Sequence, residues 1–250
     1  MADPFPTDRP VTYTESATVV FEQVVREADL DGATVMVPAF FCRNLLERIF
    51  ARHDLEPLFV DVDPGTYSID VDAAATHVDD VAAVILLHPF GLPAAMDRWG
   101  DLVEGTDVVL VEDCARALGA RYDGRPVGSF GDYALFSVGK TTHLNFGGVM
   151  VGDDRVTADL ADPRIDADRV LRTAYSLLPR SVPFEDRVAT LYDAVLGDGS
   201  ATAPEIGDVD PPEADTVREI DPLNRWLFDR YLRREFAAEL DRQAAVAAAL

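Results

Sequence analysis

At 250 residues with 48% hydrophobic side chains, the chain can bury a sizeable core, which excludes disorder as the default state. Its 45 acidic against 22 basic residues give a formal charge of −23, a surface that repels nucleic acid and anionic membranes and argues against both as partners. Apolar runs such as Val81 to Leu87 are strand length, well short of the ~20 residues of a membrane span, and the first residues lack a secretory pattern, so the expected location is the cytoplasm.

Helical spacing predicts a helix over Ser16 to Glu27 with Ser16 as N-cap, and a second helix over Arg43 to Arg52. Between them Thr34 to Val37 reads as a strand stopped by Pro38. Leu58 to Val62 is a strand closed by the Asp63-Pro64-Gly65 turn, and Val81 to Leu87 is a continuous apolar strand followed by His88-Pro89-Phe90-Gly91. Met96 to Glu104 is helical, Val108 to Glu112 a buried strand, and Tyr122 to Arg125 a turn. Strands over Tyr133 to Ser137 and Val149 to Val151 flank Lys140. Unbroken apolar strands separated by helices indicate a mostly parallel sheet covered by helices on both faces, an α/β core over residues 1–155. Residues 156–250 read as a mostly helical extension: a helix over Arg169 to Leu178, a Pro- and Asp-rich loop at about 197–213 and a helix from Arg225 to Leu250.

Of the 22 basic residues, 21 are Arg and one, Lys140, is Lys. An acidic surface almost free of lysine suits a halophilic protein, because high salt screens its self-repulsion. Arg replaces Lys as a surface charge but cannot form an imine, so the surviving lysine is a candidate for covalent chemistry. Cys42 and Cys114 are far apart, form no Cys-x-x-Cys pair, and read as two small buried residues, with no disulfide or zinc site implied. The buried strand Val109 to Glu112 runs into Asp113, whose carboxylate needs a partner; a helix cap is the ordinary reading and a protonated heterocycle the chemical one.

The ordered motifs Glu112-Asp113, Gly124-Arg125, Gly128-Ser129-Phe130-Gly131-Asp132, Phe136-Ser137, Lys140 and Gly147-Gly148 resemble those of the DegT/StrS-type sugar aminotransferases. The segments Phe59 to Pro64, His88 to Pro93, Met96-Asp97 and Pro38-Ala39-Phe40-Phe41-Cys42 extend the resemblance over about residues 13–155. It implies the fold-type-I large domain and pyridoxal 5′-phosphate (PLP) as cofactor, with Lys140 forming a Schiff base and Asp113 facing the ring nitrogen. Ser137 would bind the phosphate together with Ser16, Ala17 and Thr18, for which ordinary N-capping is the alternative. Phe41 or Phe90 would stack on the ring, each with core packing as the plainer reading. Arg116 stands where relatives often have Gln, and His143 lies near Lys140, where a hydrogen-bonded structural role is the alternative, as it is for His88. The chain also departs from the family in a short Ser137 to Lys140 spacing, in showing no recognisable Gly-x-Asn-x-Arg segment, and in appearing to lack the small C-terminal domain. The resemblance implies a homodimeric aminotransferase that moves an amino group from an amino acid to a nucleotide-linked keto-sugar. The alternative is an inactive PLP-binding or scaffold protein.

Overall fold

The structure is a computed structural model, and it describes residues 5, 9–142, 147–152, 161–163, 218–238 and 240–241. The helix expected over Arg169 to Leu178 and the loop at 197–213 lie outside the described residues, as does His143.

Seven strands form one sheet. They are β1 (Val11–Thr14), β2 (Thr34–Pro38), β3 (Glu56–Val60), β4 (Ala83–Leu87), β5 (Val109–Asp113), β8 (Tyr133–Ser137) and β9 (Gly148–Val151); β6 (Arg121–Tyr122) and β7 (Arg125–Pro126) make a separate small hairpin. The order across the sheet is β1-β9-β8-β5-β4-β2-β3. The β8–β5–β4–β2–β3 neighbours are parallel, whereas β9 is antiparallel to both β8 and β1. Strand β1 therefore runs in the same direction as β8, and the ends of β1, β8, β5 and β4 meet at one rim. The chain turns from strand to helix there, the place where open α/β sheets gather ligands.

The helices are α1 (Ala17–Glu27), α2 (Arg43–Leu45, continued by a π-turn over Leu46–Phe50), α3 (Val71–Ala74), α4 (Met96–Val103), α5 (Val138–Thr141) and α6 (Pro222–Arg234). Alternate residues of each strand point to opposite faces. Val35, Val37, Ile85, Val111, Leu135 and Met150 pack on one face against Val20 and Val24 of α1 and Ile49 and Phe50 after α2. On the other face Met36, Val84, Leu86 and Leu110 meet Met96 and Trp99 of α4, while Phe136, Val149 and Val151 meet Phe228 and Tyr231 of α6. Each fully buried side chain of this kind contributes about 2 kcal/mol of apolar transfer.

The expected elements appear with small shifts. Leu58 to Val62 moves two positions toward the N-terminus because Val62 leaves the ladder to bridge Ile69. The helix expected over Arg43 to Arg52 holds, but loosens into a π-turn from Leu46. The final helix begins three residues early, at Pro222, because Asp221 caps it through the Asn224 amide at 3.0 Å and Pro fits a first helical turn, and it ends at Arg234, well short of the expected Leu250, which lies outside the described residues. Strand β1 was not expected from the pattern Val-Thr-Tyr-Thr; its partner β9 is more than 130 residues away.

Candidate active site

The first wall of the site is the start of α1. Ser16 has extended backbone and its hydroxyl accepts from the Val19 amide at 3.4 Å, so the N-cap expectation holds. The first intrahelical bond is Val20 to the Ser16 carbonyl, which leaves the Ala17 and Thr18 amides ahead of the helical ladder, at its positive end. Gly148 brings the sheet against this turn. It pairs with Thr14 on one side and Ser137 on the other, and a Cβ on it would stand 2.3 Å from the Ser16 carbonyl oxygen and 2.7 Å from the Ala17 nitrogen. Only glycine permits that approach. The Ser137 side chain falls on the same face as Leu135 and Met150, the α1 face, so its hydroxyl and the α1 amides share one corner of the rim.

The second wall comes from β5 and its loop. Asp113 lies on the α1 face like Val111, and one of its oxygens accepts from the Ala115 amide at 2.9 Å. Burial pushes its carboxyl above its ordinary value, opposed by the Ala115 amide and by the charges of Lys140 and Arg116. The ammonium of Lys140 thus acts on Asp113 across the rim. Lys140 is exposed on α5, the short helix that follows β8 directly, and Thr141 ties that helix to the Ala115 carbonyl at 3.4 Å.

The two aromatic candidates separate. Phe41 is buried against Phe21 and Phe50, with ring centroids 6.4 and 5.8 Å apart, a core role. Phe90 is 77% exposed just past β4 and has a left-handed backbone (φ 57°), a costly state for an aromatic residue. Arg116 is exposed and acts on Asp113 through its charge alone.

Beneath the rim, on the opposite face of β5, sits a feature that the sequence did not disclose. The buried Glu112 carboxylate accepts from the Gly128, Phe130 and Gly131 amides, each at 2.7 Å, and contacts His88 Nε2 at 3.0 Å. His88 Nδ1 accepts from the Ala94 amide at 3.1 Å, so the ring proton lies on Nε2 and is donated to Glu112. The structural reading of His88 therefore holds. Burial alone would raise the Glu112 carboxyl, but the hydrogen bonds from His88 and from the Gly131 and Gly128 amides outweigh it and hold the group below its ordinary value. His88, Glu112 and Cys114 lie close enough together to suggest a metal site. Glu112 and His88 already have their bonding positions filled, and burial raises the Cys114 thiol well above its ordinary value, so the cluster is a packed polar knot. The signal for it was a glutamate inside an apolar strand. A separate cleft of about 410 Å³ opens toward the amino ends of β5 and β8, between α4 and the β6–β7 hairpin, away from this rim.

The chain resembles known proteins in sequence and in fold. Over 79 residues the chain is 35% identical to GDP-perosamine synthase of Escherichia coli O157:H7, a match that covers 31% of this chain and 22% of that enzyme. The fold superposes on 3-amino-5-hydroxybenzoic acid synthase (TM-score 0.53, 30% identity, 59% of this chain and 39% of that one). It also superposes on DesI, solved with its TDP-sugar product (TM-score 0.53, 33% identity, 58% and 38%). The chain thus spans less than half the length of each of these relatives. The family model for DegT/DnrJ/EryC1/StrS aminotransferases matches residues 7–163. With its sheet, its rim and this match together, the chain belongs to the DegT/DnrJ/EryC1/StrS aminotransferase family, a PLP-dependent family of fold type I.

Proposed function

We propose that this protein is an aminotransferase that moves an amino group from an amino acid to a keto-sugar carried on a nucleotide, with PLP held at the rim described above. The observation that carries the reading is the tie from Thr141, beside the chain's one lysine, to the Ala115 carbonyl two residues past Asp113, which brings Lys140 and Asp113 to one rim.

The donor set fits the cofactor. The Gly148 approach leaves a cradle of Ala17 and Thr18 amides with the Ser16 and Ser137 hydroxyls, suited to a phosphate dianion. Asp113, raised by burial, gains from a cationic neighbour and would hold the proton on the ring nitrogen. Lys140, the one side-chain primary amine, is the group for covalent attachment, and when released would take the proton from the α-carbon of the amino donor. Phe90 offers an exposed ring at the site's edge. When bound, PLP supplies an aldehyde carbon that accepts the amino group and a ring that withdraws electrons.

The exposed Phe40, Tyr67, Phe90 and Leu92 would be covered in a homodimer, the assembly that accompanies this reading. Among the described residues no helix is long and apolar enough to cross a membrane.

The test is to load the protein with PLP, reduce with borohydride and locate the cofactor by peptide mass. Attachment at Lys140, its loss in Lys140→Ala, and a spectral change on adding glutamate are expected. A cofactor that remains covalently held in Lys140→Ala refutes the assignment. Sedimentation in molar salt that returns only monomer refutes the dimer.

A further inference from the structure

We infer that His88 and Glu112 are positioning residues of the cofactor site, a buried strut that sets both the Asp113 carboxylate and the Phe90 loop. The inference rests on the reading that PLP occupies this rim. Both side chains are fully buried, and they tie the end of β5, held in the ladders with β4 and β8, to two loops that no ladder fixes: the loop after β4 and the loop before β8.

The His88 backbone amide donates to the Asp113 carbonyl at 3.1 Å, which pins the residue that carries the functional carboxylate. The His88 ring, through the Ala94 amide on Nδ1, closes the loop from His88 to Ala94 upon itself. Within that loop Phe90 and Gly91 are both left-handed, at φ 57° and 81°, and the Phe90 ring is held out at the rim. An isolated loop would relax such a conformation; closure by His88 opposes the relaxation. Glu112 fixes the ring in turn. Its oxygens take the Nε2 proton and the Gly128, Phe130 and Gly131 amides, so it has no capacity left for proton transfer or metal binding, and its role is to hold.

His88→Asn separates the two ends of the strut. The asparagine oxygen reaches roughly the place of Nδ1 and keeps the Ala94 amide satisfied, while the bond to Glu112 is lost. We expect His88→Asn to retain PLP on the order of tenfold more weakly than the natural protein. The pH at which the bound cofactor's absorbance changes should also be displaced. Ile49→Val, a core truncation on the α1 face, serves as the control for a general loss of stability and should leave that pH profile in place. His88→Asn with unchanged retention and profile, or with only the behaviour of Ile49→Val, overturns the inference. If His88→Asn does not fold, ¹⁵N-histidine spectra of the natural protein decide: the His88 Nε2–H resonance should move on addition of PLP, and an unmoved resonance overturns the strut. Failure of the natural protein to bind PLP at all is a different result, which sinks the proposed function and this inference with it.

Discussion

Glu112→Gln is the substitution with the clearest arithmetic. Each Glu112 oxygen accepts two N–H groups: Oε1 those of Phe130 and Gly131, Oε2 those of Gly128 and His88. A glutamine must place its NH₂ where one oxygen stood, so in either orientation two donors face another donor. The His88 ring cannot rescue this by moving its proton, because Nδ1 is needed by the Ala94 amide. An unsatisfied buried donor costs about 1–3 kcal/mol, giving about 2–6 kcal/mol for two, offset in part by no longer burying a charge. A net loss of about 3 kcal/mol is expected, read as a lowered urea midpoint at neutral pH with unchanged slope. The pH dependence supplies a second check. The folded state holds the Glu112 carboxyl below the 4.5 of an ordinary glutamate, so its ionised form stabilises the fold above that pH, and the contribution is lost as acid reaches the folded value. The natural protein should therefore lose stability in that acid window more steeply than Glu112→Gln. Equal midpoints at neutral pH, or parallel acid profiles, would refute the account of Glu112 as a fully bonded anion.

Other substitutions probe the rest of the rim. Gly148→Ala drives a methyl into the Ser16 carbonyl and should push α1 from the sheet, lowering PLP retention more than tenfold by equilibrium dialysis; retained affinity would count against the cradle. Phe90→Asn relieves a left-handed aromatic whose side chain is mostly in water, and should raise the stability of the cofactor-free protein by about 1 kcal/mol in thermal melts. The formal charge of −23 predicts a melting temperature that rises between about 0.15 M and about 1 M KCl, as screening shortens from about 8 Å to about 3 Å; a flat response would remove the halophilic reading.

Much of the site could be read from the chain because its parts are local. Ser16 at a helix start, Asp113 at the end of an apolar strand and Lys140 just beyond another all announce themselves within a few residues, and parallel topology then brings them to one rim. Two features escaped because their signal is not local. The sequence of β1 is too short and polar to declare itself, and it becomes a strand through pairing with β9. The Glu112–His88 knot depends on loops converging from 24 positions apart, and a single glutamate in an apolar strand shows only that some partner must exist. The choice between Phe41 and Phe90 was open for the same reason: two aromatic residues after strands look alike until one is found packed on Phe21 and Phe50.

The pairing of Gly148 with both Thr14 and Ser137 also has a temporal meaning. During synthesis the segment through Ser137 can leave the ribosome with its five parallel strands complete and still have no seat for a phosphate. The proposed seat appears when residue 148 arrives and β9 joins β1 to β8. If PLP sits at this rim as proposed, a nascent chain halted before that glycine carries the lysine and the aspartate but lacks the seat for the phosphate.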